Sequence, residues 1–315
     1  MSTNADGMPA TPQGDPIRLA VVAHRRKTFG PGLRALRERI ENTPYGADLS
    51  WNEVEKSKFV PRQVQRAVAA GATRVMVWGG DGTVQRALDA FAEVDPSKVS
   101  LAVMPAGTAN LFAANLGIPK DFDQALAIGL GHHQQRIDVG QVNGERFGVM
   151  TGTGLDALMI RDASGELKNK FGRLAYVWTV ARNLRSASNE ISIKVDGKAW
   201  FEGRASCVLI GNVGHLIGGL EVFEHADPVD GLLEIGVVCA DSLAQWARLL
   251  GKAVVSHAED SSLLMTTSGR KVSVVLAHKQ AYELDGGDRP ETKKLKVKVR
   301  PQAVSLCVPP PAPAQ

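Results

Sequence analysis

The sequence predicts a two-part fold, α/β followed by all-β: an N-terminal domain with a mainly parallel sheet, then a β-sandwich domain. Three observations carry this. Residues 17–136 alternate short apolar runs with segments of helical spacing, the order expected of successive βα units. Two of the apolar runs end in glycine turns, Gly79-Gly80-Asp81-Gly82-Thr83 and Pro105-Ala106-Gly107-Thr108-Ala109-Asn110. From 137 to 302 the pattern becomes short β-like stretches punctuated by glycine.

In chain order, residues 1–16 hold no Lys or Arg and no apolar core, so they read as a disordered lead rather than a secretory signal. Ile17 to Ala23 reads as a strand, and a loop with His24, Arg25, Arg26, Lys27 and Thr28 follows. Helical spacing starts at Leu33, Leu36 and Ile40, and a strand is expected from Leu49 to Glu55. After Lys56-Ser57-Lys58, Pro61 opens a helix at its first position, burying Val64, Ala67 and Val68 and stopping at Gly71. The strand Val75 to Trp78 enters the first glycine turn, and Val84, Ala87, Leu88 and Phe91 then fall at helical spacing. Val99 to Met104 is the next strand. Leu111 to Leu116 and Phe122 to Leu130 are helices separated by Gly117 and Pro119, and His132-His133 reads as an exposed link.

Beyond that point strands are expected at Phe147–Thr151, Ile191–Val195, Ala205–Ile210, Leu232–Val238, Val272–Ala277, Tyr282–Leu284 and Leu295–Val299. Helical insertions are expected around Leu174–Leu184 and Leu243–Val255. Lys294, Lys296, Lys298 and Arg300 alternate with Leu295, Val297 and Val299, which gives one basic and one apolar face. Such a strand suits an anionic membrane surface, or a charged sheet edge that resists aggregation. The Pro-rich 309–315 reads as a disordered tail.

Bulk properties narrow the function classes. The chain has 315 residues, 44% hydrophobic and 22% charged, enough for two domains with real cores. No apolar stretch approaches the ~20 residues that cross a bilayer. Cys207, Cys239 and Cys307 lack paired spacing, so they read as small buried residues in a reducing compartment. A net charge of +4 permits an anionic partner without requiring one.

The glycine turns carry the chemistry. Lacking Cβ atoms, Gly79, Gly80 and Gly82 are expected to reach positive φ and let backbone approach a phosphate, with the next helix offering free N–H groups and its positive dipole end. The turn at Gly107 to Asn110 would face the same crevice. Asp81 is the odd member. A carboxylate beside phosphates repels them unless a divalent cation, or a proton to be removed, lies between, which points to phosphoryl transfer. By itself the run fits a surface turn equally well; the strand before, the helix after and the second turn favour chemistry.

GGDGT at 79–83 and PAGTANLFAANLGIP at 105–119 closely resemble the diacylglycerol kinase catalytic domain, of the family that includes sphingosine kinases and bacterial soluble lipid kinases. So do IDVGQVNGERFGVMTGTGLDA at 137–157, GNVGHLIGGLEV at 211–222, DPVDGLLEI at 227–235 and YELDGGD at 282–288, in the family's order. The resemblance implies an ATP- and Mg²⁺-dependent kinase that phosphorylates a lipid hydroxyl, with diacylglycerol to phosphatidic acid as the first choice. It implies nucleotide contacts at Gly79, Gly80, Gly82, Thr83, Gly107, Thr108, Asn110 and, more loosely, Ser57. Asp81 would orient the metal or the nucleophile. Asp230, with main-chain oxygens near Asp227 and Leu232, would hold a structural magnesium ion; a plain Asp-Gly turn is the alternative. Asp138 matches a junction Asp, and residues 303–308 would return as a strand to the first domain. The expected setting is cytoplasmic, peripheral at a membrane bearing the lipid substrate, with no nucleic-acid partner and a homodimer left open.

Three departures stand out. His24 and the basic cluster replace an Asn-Pro in the first loop, and Gln85-Arg86 replaces a common Asn-Glu. Gly287 replaces the Glu of Asp-Gly-Glu, the family's candidate base. Asp285 or Asp288 then takes the lipid proton, or the chain is an impaired nucleotide- or lipid-binding protein. NAD kinase is a further alternative, since it shares the Gly-Gly-Asp-Gly turn and the two-domain plan.

Overall fold

The computed structural model describes residues 17–154, 189–216, 220–240, 242, 244–246, 248, 249 and 262–311. The lead at 1–16, the helix expected at 174–184 and residues 312–315 lie outside these; of the second expected insertion, 244–246 and 248–249 are described and helical.

The first domain runs β1 (Leu19–His24), α1 (Leu33–Glu41), β2 (Ser50–Val54), α2 (Val60–Ala69), β3 (Arg74–Gly79), α3 (Asp81–Ala90), β4 (Ser100–Pro105), α4 (Leu111–Asn115) and α5 (Phe122–Leu130). Its strands pair in parallel in the order β4-β3-β1-β2. Every residue of β1, β3 and β4 is buried, which is why each reads as an apolar run rather than an alternating strand. α2 starts one residue earlier than expected, so Pro61 is its second residue, where a missing N–H still costs nothing.

The second domain comprises β5 (Gln134–Val142), β6 (Glu145–Phe147), β7 (Met150–Thr153), β8 (Asn189–Val195), β9 (Lys198–Ala205), β10 (Cys207–Gly211), β11 (His215–Leu216), β12 (Leu220–Glu221), β13 (Leu233–Val238), β14 (Leu264–Gly269), β15 (Lys271–Leu284) and β16 (Gly287–Cys307). The expected strand at 147–151 is two strands with a break at Gly148-Val149. The expected pair at 272–277 and 282–284 is one strand, β15, continuous through register shifts. Its apolar residues Val272, Val274, Leu276, Tyr282 and Leu284 bury into the sandwich core with Val208, Ile210, Ile235, Leu295 and Val297.

β16 joins the two halves. It pairs antiparallel with β15 and β5, and at Ser305 and Leu306 it pairs in parallel with Ser100 and Leu101 of β4. The basic segment 294–300 is therefore interior to the sheet and not an edge. Asp138 pins the same junction. Fully buried, it accepts from Gly231 N at 2.6 Å and Gln302 N at 2.7 Å, while its own N–H donates to Pro228 O at 2.7 Å.

Candidate active site

α3 begins at Asp81, with Gly80 as its N-cap, so the first glycine turn is the opening of the helix itself. Gly79, Gly80 and Gly82 do not adopt the expected positive φ. Their requirement is steric. A Cβ on Gly79 would meet Thr83 Cβ at 2.4 Å, and Cβ atoms on Gly80 and Gly107 would meet each other's Cα at 2.9 and 2.5 Å. The two turns thus pack backbone to backbone, and only glycine lets them do so. Gly82 is different: it is exposed, and nothing lies within 4 Å of a Cβ there, so the surface above it is open.

Asn110, the single left-handed residue of the second turn at φ 53°, spends its side chain on its own loop. Its Oδ1 accepts from Gly107 N at 2.7 Å, and its Nδ2 donates to Pro105 O and Gly107 O, both at 2.9 Å. These bonds make Asn110 the residue that shapes the second turn. Thr108 stays exposed. Asp81 Oδ1 accepts from Phe112 N at 3.0 Å at the start of α4. Burial raises its pKa, opposed by the N–H groups of residues 110–112.

Beside these turns lies a cleft of about 810 Å³ whose lining includes Arg26, Lys27, Phe29, Gly107, Thr108 and Lys120. Three cations face it. Lys120 Nζ donates to Thr108 O at 3.2 Å, and Trp78 Nε1 donates to Lys27 O at 3.0 Å, so the buried indole of β3 fixes the basic loop. Phe29 and Phe122 pack on Trp78 with ring centroids 5.8 and 6.4 Å away. The basic cluster is divided: Arg25 turns away to an ion pair with Glu55, while Arg26 and Lys27 line the cleft. His24 is buried, and that burial lowers its pKa. Ser57 Oγ lies 3.1 Å from Thr83 Oγ1, which brings the loosely aligned serine to the first turn.

The third part of the site is the tip of the β15–β16 hairpin. Leu284 pairs with Gly287, and Asp285 (φ 47°) and Gly286 (φ 77°) form the two-residue turn, the conformation an Asp-Gly pair favours. The Asp285 carboxylate is buried and accepts from Gly148 N at 2.8 Å, Val149 N at 2.9 Å and Met150 N at 3.0 Å. Burial pushes its pKa up to about 7; the three N–H groups oppose this, and the nearby Asp81 charge adds to it. Three of the acceptor sites of Asp285 are occupied by the backbone of β7 and the break before it, which fixes the hairpin tip against β7. Asp288 is exposed. A Cβ on Gly287 would meet Arg289 Nη1 at 3.0 Å, so a guanidinium stands where the family's Glu side chain would begin.

Arg289 was not foreseen from the sequence, nor were its partners. Its Nε donates to Glu145 Oε1 at 2.8 Å, and Arg86 Nη1 donates to Glu145 Oε2 at 3.1 Å. Gln85 Nε2 donates to Asp89 Oδ2 and to Arg146 O, both at 2.8 Å. Burial opposes ionisation of Glu145, but the two arginines hold its pKa below the usual range. The Gln85-Arg86 departure therefore belongs with the Gly287 departure, linked through Arg289 in one network tying α3 to β6 and the hairpin.

Glu283 is a second unforeseen group. It is buried, its Oε1 accepts from Gly286 N at 3.1 Å, and burial pushes its pKa up to about 7 from 4.5. A raised folded-state pKa contributes stability below the unfolded value and loses it as pH rises through about 7. The unfolding midpoint is therefore expected to fall between pH about 5 and about 8, and Glu283→Gln, which mimics the acid form, flattens part of that fall. Thermal scans across that range check it; an unchanged slope in the variant contradicts it.

At 227–232, Asp230 Oδ1 accepts from Leu232 N at 2.8 Å and Asp227 Oδ1 from Val229 N at 3.2 Å. One oxygen of each carboxylate closes the turn locally. Among the described residues no three His, Cys, Asp or Glu side chains converge as a metal cage. That donor set suits a cation held by one or two carboxylates, with phosphate, water or main-chain oxygens completing its shell.

A parallel βα domain with paired glycine turns, joined to a β-sandwich that carries a buried carboxylate hairpin, defines a two-domain kinase. The family model described as "Diacylglycerol kinase catalytic domain" matches residues 19–142, and that described as "YegS C-terminal NAD kinase beta sandwich-like domain" matches 149–308. The chain belongs to this family of lipid kinases. It is 31% identical over 265 residues to "Diacylglycerol kinase" of Bacillus subtilis (strain 168), covering 83% of this chain and 86% of that one. It is 32% identical over 221 residues to "Probable lipid kinase YegS-like" of Pseudomonas fluorescens, covering 70% and 72%. Among solved structures, a diacylglycerol kinase from Bacillus anthracis str. Sterne shares the fold at TM-score 0.75 and 21% identity, over 95% of this chain and 99% of that one. An NAD kinase from Archaeoglobus fulgidus, crystallised with ATP, shares it more distantly, at TM-score 0.52 and 11% identity over 92% and 93%.

Proposed function

We propose that the chain transfers the γ-phosphoryl group of magnesium-bound ATP to a lipid hydroxyl, with diacylglycerol, giving phosphatidic acid, as the first acceptor to try. The observation that carries this reading is the packing of Gly80, next to Asp81, on Gly107, which lines an 810 Å³ cleft with three cations, while the charge of Asp81 acts on Asp285 in the hairpin of the second domain. Arg26, Lys27 and Lys120 are charge-assisted donors suited to a polyphosphate. Thr83 with Ser57, Thr108, and the open backbone at Gly82 complete the nucleotide contacts. When bound, Mg²⁺ neutralises phosphate charge and lets Asp81 sit close to it.

In the reaction the bond from the γ-phosphorus to the bridging oxygen of ADP breaks and a bond from phosphorus to the lipid oxygen forms. The hydroxyl proton leaves to a carboxylate. With Asp285 committed to three backbone donors and Asp81 receiving the N–H groups of residues 110–112, the exposed Asp288 is the carboxylate left open for it, and Asp81 orients the reactants. The family's Glu is then dispensable, because positioning and charge neutralisation supply most of the acceleration in phosphoryl transfer. The binding-protein alternative predicts nucleotide or lipid binding with no ADP release. The NAD kinase alternative rests on the shared Gly-Gly-Asp-Gly turn, the two-domain plan and a distant fold likeness. We assign the turn at Asp227, Asp230 and Leu232 to a structural magnesium ion; a rise in the unfolding midpoint with Mg²⁺, lost in Asp230→Ala, tests it.

The test of the reading is ADP release with Mg²⁺-ATP in micelles of diacylglycerol, sphingosine or another hydroxyl lipid, against lipid-free micelles and against NAD. Lipid stimulation supports the kinase; release stimulated by NAD alone, or ATP binding without release, overturns it. Replacing Lys27 and Lys120 together with Ala should raise the KM for ATP by about a hundredfold or more, since charge-assisted bonds contribute about 1.5–3 kcal/mol each, and leave the unfolding midpoint unchanged.

A further inference from the structure

The outer face of the sandwich sheet carries a basic patch that the proposed chemistry does not use. Along β16, Lys294, Lys296 and Arg300 are exposed and Lys298 half-buried, while the alternating Leu295, Val297 and Val299 bury in the core. The neighbouring strand extends this face. Lys271 pairs with Lys298 across β15, Ser273 with Lys296, and Val275 with Lys294. On the next strand Lys194 pairs with Ser273 and Ser192 with Val275. Because cross-strand partners project to the same side, Lys194, Lys271, Lys294, Lys296, Lys298 and Arg300 share one surface. Val275, 45% exposed, lies within it.

Positive charge on this face is in excess. Among the described residues none of the six forms an ion pair; Arg300 donates only to the neutral Gln141, at 3.0 Å. Of the acids nearby, Asp196 uses its carboxylate on the backbone N–H groups of Arg270 and Lys271; Glu190 and Glu202 share the face at its β8–β9 margin, Glu202 pairing across from Ser192 and Glu190 from Arg204, and leave the basic residues in excess. An aggregation guard belongs on a sheet edge, but β16 here is paired on both sides by β15 and β5. Six like charges clustered on a flat interior sheet surface repel one another and lower stability, so an external anionic partner is the simplest account of them.

We propose that this face docks the chain on a bilayer surface rich in anionic lipid headgroups, with Val275 meeting the interface among the lysines. Charge complementarity selects that occupant. The same two strands end in the Asp285 turn, about 20 Å from Lys294 along β16, so docking fixes the candidate catalytic tip relative to the membrane. The proposal extends the lipid-kinase reading to the surface on which it operates. It can be tested without turnover.

The experiment is sedimentation of the full chain, free of nucleotide, with vesicles of phosphatidylcholine alone or mixed with about one-third phosphatidylglycerol. The triple variant Lys294→Glu, Lys296→Glu, Lys298→Glu is compared with Arg62→Glu, Arg66→Glu, Lys98→Glu, which changes net charge equally on another surface. Expected are preference for the anionic vesicles, weakening with salt, and a loss of at least tenfold in partitioning for the first variant, from about fivefold per lysine. The second variant should keep most of the binding. Equal loss in both, or no preference for anionic vesicles, overturns the proposal. Equal thermal midpoints exclude misfolding. ADP release with a dispersed short-chain diacylglycerol should be unchanged in the first variant, so a chain that binds vesicles but phosphorylates nothing defeats the kinase reading alone.

Discussion

Replacing Asp81 with Asn should lower kcat by about 10³-fold while the protein stays folded. Asn can still accept from Phe112 N through its Oδ1, so the bond that caps α4 survives. What is lost is the negative charge and the capacity to orient or accept a proton, a contribution typical of 10²–10⁴. Loss of charge next to bound phosphates would also leave ATP affinity equal or tighter. Steady-state kinetics with direct nucleotide titration read both effects. Activity within a few-fold of wild type would remove Asp81 from the mechanism.

The second large effect is at Asp285. Asp285→Ala leaves the N–H groups of Gly148, Val149 and Met150 without their acceptor in a buried site. At about 1–3 kcal/mol for each orphaned donor, less what water entry recovers, the cost is roughly 3–5 kcal/mol. The hairpin tip should detach from β7, with activity lost and the unfolding midpoint lowered by about 10 °C. Denaturant unfolding separates this from a purely catalytic effect. A stable Asp285→Ala that lacks only activity would show that the carboxylate acts on substrate and not on the fold.

The contrast between these two aspartates shows where sequence reading reaches. Asp81 is legible because its context is local: apolar strand, glycine turn, helix, within a few residues. β1, β3 and β4 are legible for the same reason, being buried on both faces, and α5 is found at the expected Phe122 to Leu130. Asp285 looks like a candidate base because the N–H groups that occupy it lie more than 130 residues away, at Gly148 to Met150. Lys120 escapes notice because it joins Lys27 only when α5 packs beside β4. The glycines of the two turns are recognisable as special, yet their reason, the contact of Gly80 with Gly107, belongs to the pairing of β3 with β4. The continuity of β15 is hidden by exposed residues between its two apolar stretches, and the basic run of β16 resembles an edge until β5 is seen beside it.

The most direct test of the account is transfer of label from γ-³²P-ATP to lipid, with products separated into lipid and aqueous phases, for wild type and Asp81→Asn side by side. The account predicts labelled lipid in step with ADP from the wild type, and ATP binding without labelled lipid from Asp81→Asn. Label that never enters lipid while ATP remains bound, or equal lipid labelling by both proteins, would contradict it.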